Sequence, residues 1–474
     1  MKIEIVMAPE RPLDVGMATA RTCYSTSPVK PSDLDGSLSK DFCQDLWKSG
    51  HLTVFMHVNY TFLLQGVSRH LVWNSLHSVE FYNTEQMSQR YTLSHLIPET
   101  AYIPDPKTDS IEYKNRVASL YSYVGEKYKE LVAVLLRGGK NKKQAQEDAR
   151  YILPVSVFTN MYYTVNLVTL IRMYRKCLLY SQTKEEREFA VQLKDVVLAR
   201  NPELDFMFDV DSRVEENNSI PFYEEEFQKD FGLFFAEREE NNVSFLLELS
   251  CPTSNWKRED VSDALKRAGQ SSFNLIEPLG IDYGVFPGSN ALKKICLRYI
   301  DYRSLASDCQ EQRHRTIRQI RPALKNAYFG IQTVDYYVPS SIKENKKALS
   351  LYDDCLEHIY KEIDVLRGQT DEWFVLLPNA TKISVMETGD IGAFQNKWFQ
   401  RLCFNAQEET RLLNVQQYLE FKKECEQRGF DFYKYMGPPC SLRKLQGGSR
   451  LCYEGKRCCC SRGVVSPWDS WCRD

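Results

Sequence analysis

The chain has 474 residues, of which 43% are hydrophobic and 26% charged, and its formal net charge is -2 at neutral pH. This length exceeds one ordinary hydrophobic core and predicts two domains with extensions. The near-neutral charge provides no broad field that would attract nucleic acid or a membrane surface. No apolar stretch approaches the ~18 residues of a membrane span, and the first residues lack the apolar core of a signal peptide. Most of the fifteen cysteines are scattered singly, as reduced thiols are, so we expect a cytoplasmic protein.

The segment 1–205 combines strand-like and helical patterns and predicts a first α+β domain. Residues 38–50 have the period of an amphipathic helix, and 58–64 have the pattern of a buried strand. A long helical pattern covers 111–136 and stops at a glycine pair, whereas 155–165 fits either a strand or a helix. These elements predict a small mixed sheet flanked by long helices.

A compact polar cluster lies downstream of that strand and consists of Gln86, Ser88, Gln89, Arg90 and Tyr91. Enzymes often place working side chains on a loop that a rigid strand supports. Arg90 offers a planar fork of donors to a carbonyl or a phosphate, and Ser88 with nearby backbone N–H groups could hold phosphate oxygens. On an exposed loop, Arg90 should contribute little to the core, so its removal is expected to leave the fold intact.

The cluster resembles the signature loop of the flavin-dependent thymidylate synthases, in which Arg-His-Arg is followed shortly by (Glu/Gln)-x-Ser-x-Arg-Tyr. The second half is intact, but residues 78–80, Ser-Val-Glu, stand at the place of the first half when counted back without gaps. The resemblance implies that Arg90 and Ser88 are the catalytic positions. Arg90 would stabilise negative charge on a uracil ring, and Ser88 would bind rather than attack. It also implies that the nucleotide is bound by Gln86, Ser88, Gln89, Arg90, Tyr91 and, through an Ala-Arg-x-x-Leu-Pro motif, Arg150.

The same resemblance implies flavin contacts elsewhere in this domain. The family has a His, a Thr and a second His ahead of the strand, and His51, Thr53 and His57 occupy those places. Asn166 stands close to the place of a flavin-binding asparagine before the last helix. Without the resemblance, His57 would be better explained as a hydrogen-bonded core histidine.

Landmarks of the first half recur in the same order in the second half. The matching pairs are Tyr102-Ile103-Pro104 with Tyr337-Val338-Pro339, Leu153-Pro154 with Leu377-Pro378, and Ser181-Gln182 with Ala406-Gln407. Their shared order predicts a tandem duplication. The acidic segment 206–244 is then an exposed linker, and the second copy covers 245–430.

The second copy contains the half-motif that the first copy lacks. Arg313, His314 and Arg315 match the Arg-His-Arg triplet, which holds the flavin against the pyrimidine in the family. Two arginines beside a histidine place positive charge near an electron-rich ring and a pyrophosphate. The alternative is a basic helix face, because Arg318 and Arg321 continue the charge at helical spacing.

Two further residues of the second copy match the family's site. Arg401, five residues before Ala-Gln, takes the place of a nucleotide-binding arginine, and Asn396 that of a flavin-binding asparagine. The copy also departs from the pattern, because it has no Ser-x-Arg-Tyr after the triplet. Phe374 replaces the arginine that Arg150 provides, and Asp390 replaces Asn166.

The activity that the resemblance implies is the reductive methylation of dUMP to dTMP. The cofactor would be FAD, with methylenetetrahydrofolate as carbon donor and NADPH as electron source. Members of the family are homotetramers with sites between subunits, so the two-copy chain is expected to form a pseudo-tetramer as a homodimer. The alternative is a catalytically inactive paralogue that binds nucleotide or flavin, or that acts as an interaction scaffold, because the half-motifs are divided between the copies.

The segment 431–474 is a cysteine-rich tail. A zinc site needs about four converging thiolates or histidines, usually with short Cys-x2-4-Cys pairs, and no such pair occurs here. Its low apolar content and Gly-Gly-Ser run favour a mobile, oxidisable tail, and we predict no metal. The cysteines concerned are Cys440, Cys452, Cys458, Cys459, Cys460 and Cys472.

Overall fold

The computed structural model describes residues 1–34, 39–79, 81–92, 98–210, 244–250, 295–328, 330–331, 334–429 and 432–445. These residues form two compact units. The first unit takes in the described parts of 1–222, 328–333 and 340–379, and the second those of 223–327, 334–339 and 380–474. Most of the predicted linker, 206–244, lies outside the described residues.

The first unit is built on a four-stranded sheet with the order β1-β2-β4-β3. The strands are β1 (Lys2–Met7), β2 (Asn59–Ser68), β3 (Tyr82–Gln86) and β4 (Phe158–Asn166), and each neighbouring pair is antiparallel. Alternate residues of β2, including Tyr60, Phe62 and Leu64, are buried in the core. The segment 155–165, predicted as either a strand or a helix, contributes most of the interior strand β4. Its large residues suit the half-buried pleated surface of a strand.

Helices surround this sheet. They are Pro12–Thr22, Ser39–Lys48, Arg69–Leu71, Ile111–Arg137, Lys142–Ala149, Leu167–Leu179, Lys184–Arg200, Ser340–Lys343 and Lys346–Leu366. The helix expected over 111–136 is confirmed, and Ser110 caps its start by accepting the N–H of Tyr113.

Helix Lys346–Leu366 belongs to the second half of the sequence but lies in the first unit. It packs against Ile111–Arg137, where Arg116 donates to both carboxylate oxygens of Glu362 at 2.7 and 3.1 Å. The compact units therefore do not follow the segments 1–205 and 245–430 along the whole chain.

The second unit repeats the same sheet, with the order β5-β6-β8-β7. Its strands are β5 (Ser244–Ser250), β6 (Cys296–Ser304), β7 (Arg318–Ile320) and β8 (Lys382–Asp390), again with antiparallel neighbours. Its helices are Leu305–Glu311, Ile391–Arg401, Glu408–Gln427 and Pro439–Leu445. The predicted α+β class with two tandem domains is confirmed, although the strand pairings are antiparallel rather than mixed.

Local hydrogen bonds show that the two sheets are equivalent in detail. Ser68 ends β2 and caps the following turn, and its N–H donates to Glu185 at 2.7 Å. Ser304 ends β6 in the same way, and its N–H donates to Glu409 at 2.8 Å. The predicted landmarks also agree. The Tyr102 N–H donates to the carbonyl oxygen of Ser156, two residues after Pro154. The Tyr337 N–H donates to that of Ala380, two residues after Pro378.

The interiors of the two units differ in chemistry. Arg303 is completely buried and contacts three carboxylates, those of Asp301, Asp308 and Glu387. Lys397, also buried, pairs with Glu387 and with Glu311. We call these residues the charged core network.

The first unit has apolar residues at most of the equivalent positions. Strand register and counting from the shared caps match Asp301 with Leu64, Arg303 with Val67, Asp308 with Val72, Glu387 with Tyr163 and Lys397 with Met173. All five of these apolar residues lie in the hydrophobic core of the first unit. The same backbone therefore accommodates apolar residues at these positions in the first unit and paired charges in the second.

Candidate functional site

The loop that carries the polar cluster is held against the first sheet. β3 ends at Gln86, and the next residue, Met87, donates its N–H to Asn160 of β4 at 3.0 Å. The loop then turns, with the N–H of Arg90 donating to Ser88 Oγ at 3.2 Å and that of Tyr91 to the Ser88 carbonyl. These hydrogen bonds fix the position of the loop backbone from which the side chains of Ser88 to Tyr91 project.

Arg90 is not an exposed loop arginine. Its Nη2 lies 3.0 Å from Oε1 and 3.2 Å from Oε2 of Glu147, on helix Lys142–Ala149. The exposed fractions of the two side chains are only 13% and 8%. The expectation that Arg90 contributes little to the core is therefore wrong, because the loop folds back onto a helix whose last turn also positions Arg150.

Tyr91 lies on the outer side of this pair. Its ring is exposed, with the Arg90 guanidinium 5.7 Å and the Lys143 ammonium 5.5 Å from its centre. Cations at this range are attracted to the negative face of the ring. An exposed aromatic ring with two cations beside it is suited to stacking and to anion contact.

Gln89 and Arg150 lie deeper and share one neighbour. Asn379 donates from Nδ2 to the carbonyl oxygen of Arg150 at 3.1 Å and to Gln89 Oε1 at 3.4 Å. All three side chains are buried, and Gln89 Nε2 has no hydrogen-bond partner among the described residues. Through Asn379, the structure thus places the backbone of Arg150 next to Gln89, on the loop that also carries Gln86, Ser88, Arg90 and Tyr91.

The predicted flavin residues of the first unit form a separate group. His51, Thr53 and His57 are exposed on the short helix Leu52–His57 or just before it, next to the start of β2. Asn166 pairs with Asn59 at this same end of the sheet, and its side chain caps helix Leu167–Leu179 by accepting the Thr169 N–H. The alternative for His57, a buried core histidine, is wrong because its ring is exposed.

Within the first unit, the sheet separates these two groups. Gln86 pairs with Met161, and Asn166 lies five residues further along β4. At ~3.3 Å per residue the separation is about 17 Å. The first unit therefore places its predicted nucleotide ligands and its predicted flavin ligands at opposite ends of one sheet.

In the second unit, the triplet follows helix Leu305–Glu311. Arg313 and Arg315 are exposed and His314 is buried between them. Burial, together with the positive charges of Arg401 and Lys397, holds the pKa of His314 well below its usual value. This histidine is accordingly a neutral imidazole at physiological pH.

Arg401 lies close to the triplet, as its Nη2 donates to the carbonyl oxygen of Gln310 at 2.6 Å. Asn396 is half-buried one turn earlier on the same helix, Ile391–Arg401. The basic-helix alternative for the triplet is wrong, because Arg318 begins strand β7 and Arg321 directly follows that strand.

The equivalent positions show how the motif is divided. Counting from the caps Ser68 and Ser304 places His77, Ser78 and Val79 opposite the triplet, one residue earlier than counting back from Ser88 predicts. The register of β3 and β7 on their neighbours likewise matches Ser88 with Ala323 and Arg90 with Lys325. Each copy therefore retains one half of the motif in a similar backbone.

Sequence reasoning missed two residues of this arrangement, Glu147 and Asn379. Glu147 precedes Arg150 by three residues, so helical spacing could have indicated that both reach the same side. Asn379 comes from the second half of the chain, and no local pattern connects it to Gln89. Among the described residues, no group of His, Cys, Asp and Glu side chains is placed to hold a metal ion.

The structure describes residues 432–445 of the cysteine-rich tail. Cys440 lies on helix Pro439–Leu445 and is half-buried, whereas the other cysteines of 431–474 lie outside the described residues. In the described part of the chain, we find no helix with the length and apolar character needed to cross a membrane.

Comparison with known proteins gives a consistent result. A family model described as "Thymidylate synthase complementing protein" matches residues 4–203 and 297–426, which are well over half of the chain. The flavin-dependent thymidylate synthase of Nitratidesulfovibrio vulgaris is 28% identical over 191 residues, 38% of this chain and 76% of the relative. That of Clostridium tetani is 29% identical over 192 residues, 37% of this chain and 73% of the relative.

Among solved structures, the chain is similar to the UMP/dUMP methylase PolB from Streptomyces cacaoi, bound with 5-Br dUMP. The identity is 20% and the TM-score 0.35, covering 43% of this chain and 94% of the other. The match of the family model to both halves, together with two sheets of the same strand order, determines the assignment. The chain belongs to the thymidylate synthase complementing protein family, that is, the flavin-dependent thymidylate synthases.

Proposed function

We propose that the protein is a flavin-dependent thymidylate synthase that methylates dUMP to dTMP and binds dUMP in its first unit. The observation that carries this proposal is that Gln89, Arg90 and Arg150, three side chains with N–H donors, are buried or nearly buried where the loop after β3 is joined to the end of helix Lys142–Ala149 by Glu147 and Asn379. Guanidinium groups and an amide N–H are the donors that a phosphate and a pyrimidine carbonyl require. The names of the relatives support the same substrate class.

In this proposal, each residue of the cluster binds or orients the nucleotide. Arg90 stabilises negative charge that develops on the pyrimidine ring, because a fixed cation in a nearly dry site acts without reorganising solvent. Arg150 and Ser88 bind the phosphate, while Gln89 and Gln86 supply amide groups. Tyr91 covers the site with its exposed ring. Arg401 of the second unit remains a predicted nucleotide ligand.

The second unit has residues whose chemistry fits a flavin. Arg313 and Arg315 are exposed, and a guanidinium pair is suited to the pyrophosphate of FAD. His314 between them is neutral and buried, so it adds no competing charge. We assign these three residues and Asn396 to FAD in the second unit, and His51, Thr53, His57 and Asn166 to FAD in the first unit.

When bound, reduced FAD would supply the hydride for a methylation that takes its carbon from methylenetetrahydrofolate and its electrons from NADPH. The protein's own contribution is positioning and charge, and Ser88 binds rather than attacks. We also propose that the chain assembles as a homodimer, which the mass of the protein in solution tests directly.

A second candidate function is a relative that binds nucleotide or flavin without turnover. The substitutions at equivalent positions favour it, because His77, Ser78 and Val79 stand opposite the triplet, and Lys325 stands opposite Arg90. Such a protein would retain ligands but lack a complete catalytic set in either copy.

The experiment that separates the two candidates starts with the absorbance spectrum of the purified protein, followed by titration with dUMP. The enzyme should carry or take up FAD, show a flavin band that dUMP perturbs, and release tritium from 5-tritiated dUMP in the presence of methylenetetrahydrofolate and NADPH. Binding without tritium release would support the inactive relative. Failure to bind either FAD or dUMP would contradict both candidates.

A further inference from the structure

Asn379 lies in a rigid backbone segment next to the predicted nucleotide cluster. Its N–H donates to the carbonyl oxygen of Leu153 at 2.9 Å, and Pro378 and Pro154 form an antiparallel bridge. The N–H of Val155 in turn donates to Leu377 at 3.0 Å. Asn379 is only 3% exposed. Because this backbone is held from both sides, the Asn379 amide has a well-defined position.

The fold itself does not require an asparagine here. The motif Leu153-Pro154-Val155 of the first copy corresponds to Leu377-Pro378-Asn379 of the second. Val155 occupies the equivalent position, so an apolar side chain is compatible with this backbone. The amide must therefore be explained by what it contacts.

The contacts of Asn379 determine which way the Gln89 amide points. A backbone carbonyl can only accept, so the atom of Asn379 that lies 3.1 Å from the Arg150 oxygen is the donor Nδ2. The same Nδ2 is 3.4 Å from Gln89, whose nearer atom must then be the acceptor Oε1. Gln89 Nε2 consequently faces away from Asn379, buried and without an acceptor among the described residues.

A buried donor without an acceptor costs free energy, and a ligand oxygen is a natural way to satisfy it. We propose that Asn379, although it belongs to the second repeat, is a positioning residue of the nucleotide site in the first unit. It orients the Gln89 amide so that Nε2 is presented to an oxygen of the nucleotide, either a pyrimidine carbonyl or a phosphate. This inference rests on the function proposed above.

The substitution Asn379→Asp tests the orientation directly. A carboxylate at this position accepts a hydrogen bond from Gln89 Nε2, so the Gln89 amide turns over. Its Oε1 then faces the nucleotide oxygen, and the two oxygens repel each other. We expect the Kd for dUMP, measured by calorimetry on the full chain, to rise at least about tenfold. Asn379→Ala removes the contact without adding charge, and it should weaken dUMP binding by a smaller factor. Asn379→Ala also tests the positioning role if Asn379→Asp does not fold.

A double-mutant cycle with Gln89→Ala tests the pathway, because two residues that act through one contact are not additive. In the Gln89→Ala background, Asn379→Asp should cause no further loss of affinity. The matched control is Asn201→Asp, since Asn201 is also buried and also donates to backbone carbonyls, those of Pro9 and Glu10. It should lower the melting temperature and leave the Kd for dUMP unchanged.

The possible outcomes are distinct. An unchanged Kd in Asn379→Asp, or equal losses in both backgrounds, would overturn the positioning role while wild-type binding still supported the proposed function. If wild type itself does not bind dUMP, the proposed function fails, and the role of Asn379 falls with it. A loss in the wild-type background that disappears with Gln89→Ala supports the inference.

Discussion

Arg90 and Glu147 form a nearly buried ion pair, with Arg90 Nη2 3.0 Å from Glu147 Oε1. The pair joins the loop after β3 to helix Lys142–Ala149, and it neutralises the arginine that we assign to the pyrimidine. Removing one partner of a buried pair leaves the other charge uncompensated, which costs far more than the pair itself contributes. The arginine to which we assign the catalytic role is thus also part of the structure of this unit.

We expect Arg90→Ala to abolish dUMP binding and also to destabilise the protein. Glu147 would be left buried without its cation, at a cost of about 3 kcal/mol in the free energy of unfolding. Urea unfolding and calorimetric titration with dUMP measure the two effects. Arg116→Ala is the control, because that arginine pairs with Glu362 at a more exposed site; it should cost less than about 1 kcal/mol and leave dUMP binding intact.

The double variant Arg90→Gln/Glu147→Gln separates the two roles of Arg90. It removes both charges and keeps two side chains that can hydrogen-bond to one another, so most of the lost stability should return. Binding of dUMP should not return, because the cation that we assign to the pyrimidine ring is still missing. If the double variant binds dUMP as wild type does, Arg90 is not a nucleotide ligand.

The charged core network leads to a second prediction, for Lys397→Met. Methionine occupies the equivalent position in the first unit, Met173. In the second unit it would remove the buried cation that Glu311 and Glu387 share, and would leave Glu387 paired with Arg303 alone. We expect a loss of about 3–5 kcal/mol in the free energy of unfolding. Lys422→Met, at a partly exposed i,i+4 pair with Glu426, should change the free energy of unfolding by less than about 0.5 kcal/mol. Equal stabilities of the two variants would contradict the network.

The third prediction concerns pH. Glu185 accepts the Ser68 N–H, and burial, its largest influence, raises the pKa of this carboxyl from 4.5 to about 7. A carboxyl whose pKa is higher in the folded state stabilises the protein fully below pH 4.5. This contribution is lost as the pH rises through about 7. Glu185→Gln removes this dependence, because the amide oxygen still accepts the N–H but cannot ionise.

Relative to Glu185→Gln, the wild type should therefore lose about 3 kcal/mol of unfolding free energy between pH 4.5 and pH 8, at ~1.4 kcal/mol for each pKa unit. Chemical denaturation at several pH values measures the difference. Glu188→Gln, at an exposed position on the same helix, should follow the wild type. A constant difference between wild type and Glu185→Gln across this range would show that Glu185 ionises in the folded protein as it does in the unfolded chain.

Periodicity predicted much of the fold. The helix at 111–136 and the strand at 58–64 have patterns that local propensity and burial both favour, and the landmarks of the repeat depend only on spacing. The charged core network could not be predicted in this way. Asp301 and Arg303 occupy inward positions of β6 that pattern rules assign to apolar residues. Only the pairing of Arg303 with Asp301, Asp308 and Glu387 makes that burial tolerable.

The candidate site could be predicted only as far as its motif extends. The loop from Gln86 to Tyr91 and Arg150 were found because the residues themselves match a family pattern. Whether Arg90 is exposed depends on Glu147, more than fifty positions away, and the orientation of Gln89 depends on Asn379 in the other copy. Contacts across such sequence separations are set by tertiary packing, which local pattern does not encode.

The last prediction tests the flavin assignment in the second unit. The double variant Arg313→Ala/Arg315→Ala removes two exposed guanidiniums on either side of His314, so we expect the free energy of unfolding to change by less than about 1 kcal/mol. If these groups bind the FAD pyrophosphate, affinity for FAD should fall at least about tenfold, as measured by flavin fluorescence during titration of apoprotein. Arg318→Ala, an exposed arginine on β7, is the matched control and should bind FAD as wild type does. Equal FAD affinity in all three proteins would remove the triplet from the flavin site, and would leave the dUMP assignment in the first unit to be judged by Arg90 alone.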